Sequence, residues 1–160
     1  MIETTIESVF AELGQRNTSP RRLLTEELAR MAGTGEGFTA EGLWHRLQKV
    51  NPSIGRATIF RAVRQLVERH VLDCIDFSDG TRLYRVCGGR VNQENGHHHH
   101  LACNRCHRIT EFHFCFPQRE LEDIGAQEDF LVQGHTLTVY GICKDCRPLP
   151  SSANPGSTHS

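Results

Sequence analysis

Hydrophobic residues recur at helical spacing in four successive stretches of the first half of the chain, which predicts four amphipathic helices. Gly14 and Gly33 stand where the first and second helices should end, and Ser19-Pro20 is typical of a helix start. Thr39 is the expected N-cap of the third helix. The predicted helices cover residues 2–13, 19–32 and 39–50, and a fourth helix starts at Ser53 or Gly55 and extends to Val67.

The hydrophobic period changes to two after the fourth helix. Residues 71–77 and 82–87 alternate between apolar and polar positions, with Ser78-Asp79-Gly80-Thr81 between them. Asp-Gly between two alternating segments is typical of a β-hairpin. Helices followed by a hairpin, with a short link at 52–55 between the third and fourth helices, predict a winged helix-turn-helix domain.

The second half of the chain is expected to form a separate small α/β domain. A polar, glycine-rich segment is typical of a hinge linker, and the Pro/Ser/Gly-rich tail is typical of disorder. A helix is predicted to start at Pro117, and the last strand is interrupted near Gln133-Gly134. The predicted strands cover residues 97–103, 109–114 and 130–143. The fold class is therefore α+β, with boundaries at 1–87, 88–96, 97–147 and 148–160.

Composition supports a folded protein away from the membrane. Hydrophobic residues make up 38% of the 160 residues and charged residues 23%, which argues against a disordered chain. No apolar run approaches the roughly 20 residues that span a bilayer, and the acidic start differs from a secretory signal. A cytoplasmic location without a membrane partner is expected. Arginines cluster around Arg21 and Arg61, where they could bind phosphate.

Seven cysteines without an export signal favour metal ligands over disulfides. Cys103-x-x-Cys106 and Cys143-x-x-Cys146 each place two thiols on a tight turn, and the two turns together complete a tetrahedral zinc site. Four thiolates leave no open position, so this zinc should be structural. The alternatives are redox dithiols and free cysteines in a core.

The run His97-His98-His99-His100 is a second candidate for metal binding. Side chains alternate along a strand, so His97 and His99 should serve one site, and His98 and His100 another. His135 is a further candidate ligand in the same domain. The alternative is a solvated loop. Two other cysteines, at 74 and 115, are expected to pack among apolar residues.

Together these features resemble the Fur family of metal-dependent bacterial regulators over about residues 5–147. The resemblance implies a winged-helix DNA-binding domain, a hinge and an α/β dimerisation domain. It also implies a homodimer on near-palindromic operators in double-stranded DNA. The motifs that carry it are Gly55-Arg-Ala-Thr-Ile-Phe-Arg61 (similar to the recognition-helix motif G-x-A-T-V-Y-R), Thr39-Ala40-Glu41, HHHHLACNRC at 97–106, and His135 through Tyr140-Gly-x-Cys143.

Within the family, Leu-Tyr-Arg-Val-Cys87 resembles the zinc-sensing branch, Zur. That likeness implies a regulator that binds DNA when loaded with zinc and controls zinc homeostasis genes, mostly as a repressor. It implies Zn2+ as the cofactor, with one structural and one or two regulatory ions per protomer. The implied sensing ligands are Asp73, Cys87, His98 and His100. A possible second regulatory site consists of His97, His99, Gln118 and His135.

The same resemblance directs attention to residues that would contact DNA. Arg61 can read guanine edges and Phe60 can pack on a thymine methyl group. Arg16 is a candidate for a narrow minor groove. The full set of expected DNA-binding residues is Arg16, Arg21, Arg56, Thr58, Phe60, Arg61 and Arg64.

Other functions fit the sequence less well. An Fe(II)-responsive regulator of the same family is the main alternative, although Gly37 replaces the histidine of iron-sensing members and a thiolate at Cys87 suits zinc better than Fe(II). A zinc enzyme would need a motif such as HExxH or P-C-x-x-C, which the sequence lacks. A redox protein or a metal-storage module would not require the winged-helix half. No catalytic residues and no small-molecule substrate are expected.

Overall fold

The computed structural model describes residues 2–16, 18–32, 34, 36–87 and 98–148. Helices and a hairpin come first along the chain, and a three-stranded sheet with one helix follows. This order confirms the predicted α+β class. The elements are α1 (Ile2–Glu12), α2 (Ser19–Ala32), α3 (Ala40–Val50), α4 (Arg56–Glu68), β1 (Leu72–Asp76), β2 (Arg82–Val86), β3 (His99–Cys103), β4 (Ile109–Phe112), α5 (Gln118–Gln127) and β5 (Thr138–Gly141).

The first four helices pack around one hydrophobic core, as their hydrophobic spacing predicts. Each contributes fully buried side chains, among them Ile6, Leu28, Leu43 and Leu66. Fully burying an aliphatic side chain stabilises the folded state by about 1.5–3 kcal/mol. The helical half therefore has a core of its own, which holds α4 in place.

Polar contacts fix α3 and α4 relative to each other. Thr39 Oγ1 accepts a backbone N–H of the first turn of α3 at 2.9 Å, which is the expected N-cap. Trp44 of α3 donates from Nε1 to the carbonyl of Ile54 in the connecting turn at 3.0 Å. Gly55 is the N-cap residue of α4, so the helix begins at Arg56, within the predicted start region.

The strands β1 and β2 form the predicted antiparallel hairpin. The register places Asp76 opposite Arg82 next to the turn. Gly80 in the turn has a φ of 86°, a left-handed conformation that glycine adopts without steric cost. A β-bridge between Phe38 and Tyr84 attaches the hairpin to the segment before α3.

The central strand of the second half is β3, which pairs antiparallel with β4 and parallel with β5. Helix α5 lies in the connection between the two outer strands. Both faces of β3 are covered, because His99 and His100 are neighbours on opposite faces and both are buried. Consecutive histidines therefore enter different surroundings.

Two strands are shorter than the sequence predicts. The strand expected over 130–143 is present only at Thr138–Gly141, and the one expected over 109–114 ends at Phe112. After α5 the chain turns back against the helix, because Phe130 donates its N–H to the carbonyl of Gly125 at 2.8 Å. Phe130 and Leu131 are 71% and 80% exposed, so no buried face holds this segment in a sheet.

The predicted hinge linker at 88–96, His97 and the tail from residue 149 lie outside the described residues. So does Gly33, the expected end of the second helix. None of the helices that the structure describes is both long enough and apolar enough to cross a membrane.

The hairpin packs against the sheet of the second half. The apolar part of this contact consists of Ile75, Phe77, Ala102 and Ile109, with Leu83 beside them. Tyr140 of β5 donates its hydroxyl to the carbonyl of Asp76 at 2.6 Å. At the hairpin turn, His107 Nε2 lies 2.9 Å from the carboxylate of Asp79. These contacts bring β1 next to β3.

Candidate metal centres and nucleic-acid surface

The cysteines of the two Cys-x-x-Cys motifs lie together, although they come from distant parts of the sequence. Cys103 ends β3 and Cys143 follows β5, and the four sulfur atoms lie within 4.8 Å of one another. The Sγ atoms of Cys106 and Cys143 are 3.6 Å apart. Disulfide sulfurs are about 2.05 Å apart. Thiolates on a tetrahedral zinc ion, with Zn–S bonds of about 2.3 Å, are about 3.8 Å apart. The geometry therefore fits a metal site.

The protonation of these thiols also fits a cation. Backbone N–H groups of Cys143 and Cys106 point at Cys103 and lower the pKa of its thiol to about 6. Hydrogen bonds with the Cys106 and Cys143 thiols raise the pKa of Cys146 to about 12. Ionising all four thiols places like charges side by side, which a divalent ion at the centre would offset.

A second group of ligand atoms joins the two halves of the protein. Asp73 lies on β1 and His100 on β3, with His98 one residue before that strand. The Asp73 Oδ2 atom is 2.9 Å from His98 Nε2 and 3.2 Å from His100 Nε2. Among the described residues, His100 Nε2 is buried and has no partner at hydrogen-bonding angles. A buried nitrogen of this kind is suited to bind a metal ion.

Charge and burial at this second group favour occupation by a cation. Burial opposes ionisation of Asp73, but the neighbouring His100, His98 and Cys87 side chains outweigh it and lower the pKa of the carboxyl to about 2. Burial, together with the negative Asp73, raises the pKa of the Cys87 thiol. The residues of this group whose donor atoms lie within 4.8 Å of one another are Asp73, His98 and His100, and the Cys87 sulfur is not in that set. The group therefore offers two imidazoles and a carboxylate to one ion, with the buried Cys87 thiol near the carboxylate. Spacing along the chain did not link Cys87 to Asp73, whereas the family resemblance did.

The third group contains a residue that sequence reasoning missed. His99 and His135, which the family resemblance places in one site, lie with their Nε2 atoms 3.3 Å apart. Cys115 completes the group, and its Sγ is 3.4 Å from His135 Nε2. The expectation that Cys115 packs among apolar residues is wrong, since the aromatic residues on either side of it in the chain are exposed. The side-chain amide of Gln118 donates to Glu122 at 3.1 Å.

The expectation of apolar packing for Cys74 is also wrong, because its side chain is exposed. It lies opposite Tyr84 in the hairpin register and shares its strand face with Asp76, which pairs with Arg82. The buried face of β1 is the other one. This is the face that carries Ile75 into contact with the second half.

Several expected DNA-binding residues lie exposed on α4. Arg61, Arg64 and Thr58 are exposed, and Arg64 lies 3.8 Å from Glu68. Arg61 and Arg64 border a groove between α4 and the hairpin, which Phe60 also lines. An exposed helix face with guanidinium groups and a neighbouring groove can approach a phosphate backbone.

Two other arginines of the expected set make contacts within the protein. Arg56 donates to Glu41 at 2.7 Å and stacks over the ring of Phe60 at 4.2 Å. Arg21 donates to the carbonyl of the exposed Arg16 at 2.7 Å. These contacts orient Arg21 and Arg56 but also occupy part of their hydrogen-bonding capacity.

Known proteins share this architecture and sequence. The model of the ferric uptake regulator family matches residues 12–140. The ferric uptake regulation protein of Bacillus subtilis is 31% identical over 132 residues, which are 82% of this chain and 82% of that protein. Such coverage includes both halves of the fold.

Solved structures extend the similarity. The Vibrio cholerae ferric uptake regulator is 25% identical, with a TM-score of 0.60 over 85% of this chain and 98% of that one. A zinc uptake regulator complexed with zinc and DNA has the same fold, at 21% identity and a TM-score of 0.60 over 91% of this chain and 92% of that one. With a family match over most of its length, the chain belongs to the ferric uptake regulator family of metal-responsive transcription regulators.

Proposed function

We propose that this regulator responds to zinc, binding near-palindromic operators as a homodimer when zinc-loaded and controlling zinc homeostasis genes from the cytoplasm. The observation that carries the proposal is the buried Cys87 thiol near Asp73, whose carboxylate contacts His98 and His100. A mixed set of nitrogen, sulfur and oxygen donors suits zinc better than Fe(II) or Mn(II), which prefer harder ligands.

The position of the sensing ligands supports a mechanism. Asp73 and Cys87 belong to the winged-helix half at 1–87, whereas His98 and His100 belong to the half at 97–147. Bound zinc would supply a cation that holds all four ligands together. The ligands would then fix the orientation of α4 relative to the sheet. Without bound zinc, only a fraction of the orientations of the two halves would be able to bind DNA. The affinity for the operator would then be reduced in proportion to that fraction. The Cys103, Cys106, Cys143 and Cys146 site would hold a separate structural zinc ion.

Exposed apolar residues in the second half support the homodimer. A contiguous apolar patch on a protein surface often marks an interface with another protein. An isologous dimer through this half would present two copies of α4 to the two halves of a near-palindrome. Leu101 and Val139 are both exposed and are direct neighbours in the pairing of β3 with β5. The large exposed apolar residues that the structure describes in this half are Leu101, Phe114, Phe116, Ile124, Phe130, Leu131, Val139, Tyr140 and Ile142.

The surface of α4 supports different roles for its residues in DNA binding. We assign base contact to Arg61 and Phe60, and phosphate contact to Arg64, all beside the groove between α4 and the hairpin. Thr58 lies one turn earlier on the same helix. Arg16, Arg21 and Arg56 complete the proposed contact set near the ends of neighbouring helices.

Two alanine variants test these roles. Arg61→Ala should lower operator affinity by about 1–3 kcal/mol and reduce the preference for the operator over unrelated DNA. Arg64→Ala should weaken binding to operator and unrelated DNA alike, with a smaller slope of affinity against salt concentration. The measurement is titration of labelled operator and scrambled duplexes at several salt concentrations. Equal loss on both duplexes for Arg61→Ala would contradict base contact.

An Fe(II)-responsive regulator is the second candidate function. It is favoured by the names of relatives, such as the ferric uptake regulation protein of Bacillus subtilis at 31% identity. Iron sensing would have to tolerate a buried thiol at Cys87 among its ligands. The two candidate functions therefore differ in which metal ion the site at Asp73 binds.

Capture of sheared genomic DNA by the purified protein would distinguish them. The experiment is run at buffered free zinc and, without oxygen, at buffered Fe(II). Enrichment of a few palindromic sites with zinc alone is the expected result. Enrichment with Fe(II) at equal or lower free metal would support the iron candidate, and enrichment with neither metal would contradict the proposal that metal loading drives operator binding.

A further inference from the structure

We infer that Cys115 is a metal ligand at the site that contains His99 and His135, so that this site takes a borderline or soft divalent ion such as zinc through two imidazoles and one thiolate. The inference goes beyond the proposed function, because this site would exist whichever metal the protein senses. The family resemblance groups His99 and His135 with His97 and Gln118. The thiol of Cys115 is a donor that the resemblance does not supply.

The distances fit ligands around one ion. The Nε2 atoms of His99 and His135 are 3.3 Å apart, and the Cys115 Sγ is 3.4 Å from His135 Nε2. With Zn–N bonds of about 2.05 Å and Zn–S bonds of about 2.3 Å, tetrahedral geometry gives N–N and N–S separations of about 3.3 and 3.6 Å. All three donor atoms lie within 4.8 Å of one another.

The site is anchored on the central strand of the second half. His99 is 1% exposed on the central strand β3, and its ring packs 5.5 Å from the ring of Phe112 on β4. The rings of His99 and His135 are 5.0 Å apart. Donor atoms held in place by a strand lose little freedom on binding an ion, which favours binding.

A metal ion here would tie three chain segments together. Cys115 lies between β4 and α5, His135 lies between α5 and β5, and His99 lies on β3. Helix α5, which the structure describes completely, has Gly125 as its one buried residue. Its own packing thus provides little attachment to the sheet. Cross-links immediately before and after the helix would supply that attachment.

The donor set determines the class of ion. The cluster contains no carboxylate, whereas Fe(II) and Mn(II) prefer sites with oxygen ligands. A thiolate with two imidazoles favours zinc or a similar borderline ion. Three protein ligands leave a fourth position for water or another donor. Cys115 is therefore the residue that sets the metal preference of this site.

Residue-resolved thiol protection tests the inference. The full-length protein is treated with N-ethylmaleimide, either zinc-loaded or after chelation, and the rate of modification of each cysteine is followed by peptide mass spectrometry. Zinc should slow modification of Cys115 by about tenfold or more, because a metal-bound thiolate is a poor nucleophile. The exposed Cys74 serves as the matched control, and its rate should not change.

The His135→Ala variant distinguishes metal binding from simple burial. In that variant, zinc should no longer protect Cys115, whereas protection of Cys103 and Cys106 should persist. Equal modification of Cys115 with and without zinc in the wild type would overturn the inference. Undiminished zinc protection of Cys115 in His135→Ala would overturn it as well.

Cobalt provides a second, spectroscopic readout. The background variant is Cys87→Ala with the four-cysteine site filled with zinc, which leaves Cys74 and Cys115 as the thiols available to added Co(II). A thiolate-to-cobalt charge-transfer band is expected in the near ultraviolet, and it should disappear in the Cys87→Ala/Cys115→Ser double variant. An unchanged band in the double variant, or no band in the background variant, would contradict a Cys115 ligand.

Discussion

The Cys143→Ser variant is expected to lose the structural zinc ion and, with it, the folded sheet of the second half. Cys143 follows β5 and donates its N–H to Cys103 Sγ at the end of β3, so the four-cysteine site fastens the ends of two paired strands. Structural zinc contributes an apparent binding free energy of about 10–16 kcal/mol in small domains. That range is comparable to the whole stability of a typical domain, about 5–15 kcal/mol. The helical half has its own core and should stay folded.

Zinc content by mass spectrometry and amide NMR spectra of the full chain would check this result. Cys74→Ser is the matched control, since Cys74 is exposed and lies outside the three candidate metal clusters. It should keep wild-type zinc content and spectra. A Cys143→Ser protein that lacks one zinc ion but retains dispersed signals from β3 and β5 would show that the site is not needed for folding.

Local signals made most of the first half predictable from sequence. The helices follow from apolar spacing and from caps such as Thr39, whose side chain bonds the first turn of α3 as expected. The hairpin follows from Asp79-Gly80, because the turn requires a residue that tolerates the φ of 86° seen at Gly80. Each of these signals acts over a few residues, so a single sequence contains it in full.

The failures in the second half have a common physical cause. The strand expected at 130–143 is shortened by the return of the chain onto Gly125, where an added Cβ would lie 2.4 Å from the carbonyl oxygen of Phe130. That close contact depends on the orientation of α5, which no local pattern encodes. The residues that follow α5 can therefore either pack against the end of that helix or extend the strand, and their sequence pattern fits both.

The candidate sites also differ in how far a local sequence motif predicts them. The four-cysteine group could be predicted because each Cys-x-x-Cys turn is itself a local motif. The proximity of Cys87 to Asp73 was implied by the family resemblance and not by spacing along the chain, because it depends on the pairing of β1 with β2. Cys115 was missed because it stands alone between Phe114 and Phe116, with no second ligand at a short spacing to mark it.

All three clusters draw on one strand. Cys103 ends β3, His99 points to one face of it, and His100 points to the other. An ion bound at any one of the sites therefore restrains the strand that the others share. This arrangement gives a physical route by which the structural ion could preorganise the sensing ligands, and it predicts that loss of the four-cysteine site also weakens metal binding at Asp73.

The Cys87→Ala variant is expected to bind operator DNA with an affinity that no longer depends on zinc. In the wild type, zinc should raise operator affinity by about 5- to 150-fold, the usual range for coupling between two sites. Without the thiol, the winged-helix half keeps only Asp73 as a ligand, so an ion at His98 and His100 would hold the two halves weakly. The measurement is titration of a labelled operator at several buffered zinc concentrations.

The same variant should differ from the wild type in its response to pH. Burial and the charge of Asp73 raise the pKa of the Cys87 thiol, so the group is protonated in the metal-free protein. Zinc must displace that proton, and the apparent zinc affinity of the wild type should fall by about tenfold for each unit of pH decrease from this group alone. In Cys87→Ala the apparent zinc affinity should decrease less steeply as the pH falls, by about tenfold less per pH unit, because this thiol proton is absent.

The Cys87→Ala variant must also retain the structural zinc ion, because a variant that has lost it cannot report on sensing. Full zinc dependence of operator binding in Cys87→Ala would show that this thiol does not link the two halves, and would move the sensing role to His98 and His100 with Asp73 alone.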